Sequence, residues 1–428
     1  MKPSLWLHHL EHCSCTRREL FGLAAKTGAA GLLTTAGASI AQTTSPPART
    51  PASASTLRRT SASIVFNDAV FDYADPANLS DWAPSRYGPN DQRGSFNEVT
   101  EDKTGDALRL VHGRAAKTYN LGELMFNGFP AFVTTPARGY QQRATVTGYQ
   151  PQPEFTTGGG FITQLQPLGT NQLSVHEERF PSVPGAPQGL TYQIATQLDN
   201  LNHIGAGRYF YNGFQGPDIL RSWGTTALGS EHMGPIVTRG VLLDILGLKL
   251  AKNDRNALGD PAKNNRPVLR DTYRITVEDI LEAMEFGGIR ALEPGDAILF
   301  RTGWNQLLRS RDADEFARWG AQVGMPGIWL REARFLAFFR PAMVGSDTWA
   351  LELLGRPDVT GTTAFAVHQE LIMRYGVRIG ESIVADELAA DGVYEFVYIV
   401  TPQFAEGATA GNTPPVALAR PSRKRSGK

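Results

Sequence analysis

The stretch TYQIATQLDNLNH, residues 191–203, changes character from one residue to the next. Every second position reads Gln193, Ala195, Gln197, Asp199, Leu201 and His203. Successive side chains of a strand point to opposite faces, so this spacing predicts one face carrying two amides, a carboxylate and an imidazole. Ile194 and Leu198 fall on the other face. A strand with one apolar and one wet face is common in antiparallel sheets. The same polar face could instead hold a metal ion and a substrate. The stretch by itself leaves both readings open.

Outward from it, short apolar runs alternate with helical patterns. GVLLDILGL (240–248) reads as a buried strand, and GDAILFRTGW (295–304) as a strand opened by a Pro-Gly-Asp turn. AMVGSDTW (342–349) and DGVYEFVYIVTP (391–402) read as further strands. TVEDILEAMEFGG (276–288) has Thr276 as a helix N-cap and glycine beyond its end. GIWLREARFLAFF (327–339) and TAFAVHQELIMRYGV (363–377) have the apolar spacing of packed helices, the second ending near Gly376. Strands and helices mix without a strict βαβ repeat, which fits an α/β or α+β class. No internal repeat or interior domain boundary stands out.

The ends differ from this body. Arg17 and Arg18, followed by Leu20, Phe21 and a Gly/Ala-rich run, predict a twin-arginine export signal over residues 1–41. Cleavage is expected near Ala38 or Ala41, with a periplasmic or secreted destination. The run contains Lys26 and is too polar for a stable span, so no membrane partner is expected after export. Residues 42–69 read as a Pro/Ser/Thr-rich linker, 70–417 as one catalytic domain and 418–428 as a basic disordered tail. Both cysteines, Cys13 and Cys15, precede the arginine pair. The mature chain would therefore lack cysteine, which excludes disulfides, a Cys nucleophile and Cys-bound zinc. The 428 residues hold 42 Lys+Arg and 42 Asp+Glu, a balance that offers nothing to a nucleic acid.

Five histidines remain behind the signal: His112, His176, His203, His232 and His368. No G-x-S-x-G elbow, H-E-x-x-H helix or Walker loop is present, and TTGGGF (156–161) lacks the Lys of a phosphate loop. His368 lies within an otherwise apolar helical run, and Glu381 follows the next turn. With Asp199 they form a plausible ligand set for a divalent ion. Sequence spacing does not bring them together.

From about residue 180 to 417 the chain resembles the cyclase family of metal-dependent hydrolases, which includes kynurenine formamidase and isatin hydrolase. The segments that carry the likeness, in order, are TQLDNLNHIG, GPIVTRGVLLDI, LEPGDAILFRTGW, VGSDTWALE, HQELIMRYGVRIGE, DELAADGVYEF and EGATAGNTPPVA. The family signature is H-x-G-T-H-x-D-x-P-x-H. Its first two His and its Asp bind metal, and its last His is placed for proton transfer. A later His and Glu complete a second metal position. Here Asp199 keeps the Asp, His203 keeps the last His, and His368 and Glu381 match the later pair. Gln193 and Gln197 replace the first two His, and Leu201 replaces the Pro.

The resemblance implies a swivelling β/β/α fold and one divalent ion, Mn, Zn or Mg. The expected ligands are Asp199, Gln197, His368, Glu381 and, least securely, Gln193. An amide carbonyl is a weaker ligand than imidazole and suits hard ions better than zinc. The expected chemistry is hydrolysis of a C–N bond in an amide, formamide or cyclic imide, with His203 moving the proton and Asp199 at the centre. Kynurenine formamidase is the nearest named example. The partner expected is a small-molecule substrate, and the family leaves a homo-oligomer open.

Tyr209, Phe210, Tyr211 and Phe214 are candidate pocket walls, with core packing the competing reading. Arg239 is a candidate for a substrate carboxylate or for a neighbouring acid. Asp347 reads as turn chemistry before catalysis, and His232 as a loop residue. Two rivals keep the fold: a metal-free cyclase or dehydratase, and a non-catalytic small-molecule binding protein.

Overall fold

The computed structural model describes residues 66–113, 115–131, 140, 142–147, 175–179, 191–257, 266–321, 323–361, 363 and 365–421. The export signal, the linker up to residue 65 and the tail beyond residue 421 lie outside the described residues.

Among the described residues, nine strands form one mixed sheet. Its order is β1 (Lys117–Asn120), β13 (Val416–Ala419), β11 (Glu395–Val400), β7 (Ile236–Asp244), β8 (Ala297–Arg301), β9 (Met343–Ser346), β10 (Arg378–Glu381), β4 (Gln197–Asp199) and β12 (Ala410–Gly411). The central four, β7 to β10, are parallel; the flanking pairs are antiparallel. Two short antiparallel ladders stand apart, β2 (Arg143–Thr147) with β3 (Val175–Arg179) and β5 (Leu220–Arg221) with β6 (Gly224–Thr225). The helices used below are α1 (Glu101–Arg109), α2 (Ile245–Ala251), α3 (Val277–Gly287), α4 (Ala313–Trp319), α5 (Leu330–Ala337) and α6 (Ala366–His368).

Parallel strands covered by helices on both faces read as continuous apolar runs, and these do. The two-residue alternation sorts their side chains between two cores. Val241, Leu243, Ile298, Phe300 and Val344 meet Ile280 and Met284 of α3 and Ala333 and Leu336 of α5. Leu242, Leu299 and Met343 face the other way, toward Phe96, Phe396 and Tyr398. Helix α3 starts where its sequence says. Thr276 accepts from Asp279 N, Asp279 returns the bond to the cap nitrogen, and Gly288 closes the helix at φ 70°.

Three segments depart from the sequence reading. The run 240–248 is strand only to Asp244, whose carboxylate caps α2 by accepting from Gly247 N at 2.8 Å. The helix expected over 363–377 is α6 followed by a π-helical turn, Gln369–Arg374, and ends at Gly376 with φ 65°. A Cβ at Gly376 would meet the Tyr211 ring at 2.7 Å, so only glycine fits that corner. The strand expected over 191–203 shrinks to Gln197–Asp199, and Gln193 through Asn200 are buried on both sides. A strand between two neighbours, covered by loops and helices, has no wet face however its residues alternate.

Residues 66–69, read as the end of the linker, are docked on the body. Arg274 grips Asp68 with both terminal nitrogens, at 2.9 and 2.8 Å, and Arg334 donates to Asn67 and Ala69. At the other end, β13 runs two residues beyond 417. Among the described residues, no helix is long and apolar enough to cross a membrane.

Candidate metal centre

Open sheets gather ligands beyond the carboxyl ends of their parallel strands. Glu381 is the last residue of β10, and Asp347 directly follows β9. The antiparallel register sets Glu381 opposite Gln197 and Gly380 opposite Leu198. Gln197 and Asp199, two apart on β4, therefore share a face with Glu381. Leu198 points the other way into apolar packing with Met343 and Ile383.

His368 reaches that face from α6. Its Nε2 lies 3.6 Å from Asp199 Oδ2 and 3.5 Å from Glu381 Oε1. Neighbouring ligands about 2.1 Å from one ion stand roughly 3.0–3.4 Å apart, close to these spacings. Asp199, His368 and Glu381 each offer one donor atom, and the three atoms lie within 4.8 Å of one another. Asp199 Oδ2 is buried and makes no hydrogen bond. A buried carboxylate oxygen without a donor, facing an imidazole nitrogen and a second carboxylate, fits a divalent cation.

Behind His368 sits Glu352, fully buried. Its Oε2 accepts from Val367 N at 2.8 Å and lies 3.5 Å from His368 Nδ1. The Glu352 carboxylate faces the far ring nitrogen and favours a proton on Nδ1, with Nε2 on the side of Asp199 and Glu381. Burial alone would lower the His368 pKa, but Glu352, Glu381 and Asp199 outweigh it and push it up to about 10.

The two glutamines hydrogen-bond to each other beside the three donors. Gln197 Nε2 donates to Glu381 Oε2 at 2.5 Å and Gln193 Oε1 at 2.7 Å, with Asp199 Oδ1 at 3.4 Å. An amide nitrogen has no lone pair for a metal, so the end that faces the carboxylates is not a ligand. Gln193 Oε1 accepts from Gln197 Nε2. His203 follows β4 at the rim, its Nε2 3.9 Å from Asp199 Oδ2. It is placed to hold a proton beside the acid cluster.

A small cleft beside the site opens to solvent. Pro130, Ala131, Ile194, Trp319 and Trp349 line it beside Gln193, Gln197 and Glu381. The aromatic wall is therefore tryptophan. Tyr209 packs with Tyr73, Trp82 and Met373, and Tyr211 is buried with its hydroxyl donating to Asp91. Phe210 and Phe214 pack against the main core. Arg239 on β7 is bound by Asp296, Glu293 and Glu395, the neighbouring acids, far along the sheet from Glu381. Asp347 accepts from Thr302 N, Thr302 Oγ1 and Gly303 N, tying β8 to β9. His232 lies beside Glu231 in a 3-10 turn. Trp349 and Glu352 lie in the segment VGSDTWALE, whose sequence signal marks Asp347 alone. Trp319 closes α4 and carries no motif.

Residues 141–353 match the model of the Cyclase family, described as "Putative cyclase". The chain carries a cyclase-family domain. A solved structure described as a novel cyclase is 25% identical to it, with a TM-score of 0.60, over 82% of this chain and 100% of its own. Isatin hydrolase A from Ralstonia solanacearum is 15% identical, with a TM-score of 0.46, over 71% of this chain and 92% of its own. A structure described as a potential metal-dependent hydrolase with cyclase activity is 15% identical at a TM-score of 0.39, over 72% and 100%. No curated protein matches the chain. The family match in this cyclase domain ends before Glu381, which the sheet register sets beside β4, and before His368, which reaches Asp199 from α6.

Proposed function

We propose that the protein is a divalent-metal hydrolase that opens the C–N bond of an amide, formamide or cyclic amide. One observation carries this reading: Asp199 Oδ2, buried without a donor, converges with His368 Nε2 and Glu381 Oε1 at 3.5–3.6 Å spacings. The kinship to a cyclase and to proteins described as isatin hydrolases is in keeping with it.

Asp199, His368 and Glu381 would hold the ion, and two carboxylates with one imidazole suit manganese or magnesium as well as zinc. Bound there, the ion would supply Lewis acidity toward water and a carbonyl oxygen. The chain's own residues do the rest. Glu352 keeps His368 in one tautomer. His203 Nε2 takes the proton from the attacking water and returns it to the leaving nitrogen. Trp319 and Trp349 hold a flat substrate against the acid face. Kynurenine formamidase-like activity is one form this chemistry takes. Export along the twin-arginine route is part of the proposal, supported by Arg17, Arg18 and the small residues that follow.

The test is elemental analysis and hydrolysis assays on chain produced with its own export signal, using N-aryl formamides, anilides and cyclic imides. About one divalent ion per chain is expected, lost in Asp199→Ala. His203→Ala is expected to keep the ion and lose turnover. Full turnover in either variant would sink the assignment. One observation favours a metal-free enzyme instead: Gln197 Nε2 sits between the carboxylates of Glu381 and Asp199 and offsets part of their repulsion. A chain that takes up no ion yet turns over substrate would select that reading.

A further inference from the structure

Gln193 and Gln197 stand where the family signature has histidines, and their contacts fix which way each amide faces. Around Gln197 Nε2 lie three acceptors, Glu381 Oε2, Gln193 Oε1 and Asp199 Oδ1. Exchanging the ends of that amide would set its oxygen against two carboxylates and a carbonyl, so the nitrogen is the inner atom. The same bond fixes Gln193, whose Oε1 must meet Gln197 and whose Nε2 must turn away. One donor, Gln193 Nε2, and one acceptor, Gln197 Oε1, are left buried without partners. The two residues are 7% and 3% exposed, and both line the cleft with Trp319 and Trp349. Dry, unpaired polar atoms are costly, so the arrangement suits a ligand that meets both.

We propose that Gln193 and Gln197 are a substrate-reading pair that recognises a cis amide edge, a carbonyl oxygen beside an N–H, as in a lactam or cyclic imide. Gln193 Nε2 donates to the carbonyl, and Gln197 Oε1 accepts from the N–H. An open-chain secondary amide is trans and presents these two groups on opposite sides. A ring holds them on one side and supplies the flat face that the indoles cover. Two positions that hold metal in the family signature thus set specificity here. The inference rests on the cleft being the substrate cleft of the proposed hydrolase.

The experiment is calorimetric titration of the full chain with 2-oxindole, a lactam, and with acetanilide, an open-chain amide of similar size. The chain is expected to bind 2-oxindole about tenfold more tightly, the worth of one to two buried hydrogen bonds. Gln193→Glu keeps the bond from Gln197 but replaces the free donor with an acceptor, and Gln193→Met keeps the shape without polar atoms. Both should bring the two affinities within about twofold of each other. Equal affinities with Gln193 intact, no binding of 2-oxindole up to millimolar concentration, or a preference that survives in both variants would overturn the proposal. The titrations are run in the His203→Ala background, where turnover is expected to be lost, so that binding alone is read. The inference can therefore fail while Asp199→Ala and His203→Ala still support the hydrolase, and it can stand if they do not.

Discussion

Glu352 touches no proposed substrate position, yet it sets which nitrogen of His368 faces Asp199 and Glu381. Glu352→Gln should leave the fold in place and weaken metal binding by about 10-fold to 100-fold, measured by competition with a chromogenic chelator. Unchanged affinity would mean that packing alone orients the ring. Asp347 gives a different test. Burial pushes its pKa up from 3.8 to about 6. The carboxyl is neutral in both folded and unfolded chain below pH 3.8. Above that it ionises first in the unfolded chain, so its contribution to stability falls as pH rises through about 6. The swing is on the order of 3 kcal/mol. Urea unfolding of Asp347→Asn across pH 4 to 7 should show the wild type losing ground to the variant as pH rises. A flat difference would contradict the assignment. Residues of this kind are hard to read from a chain. Asp199, His203, His368 and Glu381 were visible because a motif holds them. Trp319 stands in no motif, and the run from Tyr209 to Phe214 looked like a pocket wall because aromatic residues suit a wall and a core equally well.

Among elements, β4 has three residues and carries the site. Leu198 anchors it from behind, 3% exposed against Met343 and Ile383. Leu198→Ala should cost about 2–4 kcal/mol in denaturant unfolding, and it should lower metal uptake because Asp199 loses its footing. Normal uptake at that cost would show that the loops hold Asp199 without the strand. Elements with strong local signals were legible: Thr276 with Asp279 and Gly288 bound α3 as its sequence implies. β4 was not, because alternation records what side chains are and not what covers them. The π-helical turn after His368 was equally hidden. Its apolar spacing differs little from an α-helix over six residues, and Phe365 and Ala195, at φ 57° and 54°, take backbone forms that no pattern announces.

At the scale of the molecule, the sheet order could not be read from the chain, since β4 and β12 pair across two hundred residues. The fold class was legible through the ordered likeness of many segments. The docked residues 66–69 set the practical start of the domain. A chain that begins at residue 72 should melt a few degrees lower than one that begins at residue 62, by roughly 2–5 °C in calorimetry. Equal melting points would show that Asp68 and its partners are ornamental. A last consequence follows from the cleft wall. Trp304 Nε1 and Trp349 Nε1 both donate to the carbonyl of Trp319, at 3.1 and 2.8 Å. The three tryptophans also share one packed cluster, close enough for their indoles to exchange excitation energy. A molecule entering the cleft would shift the emission of the whole group, and the protein carries its own optical gauge of occupancy.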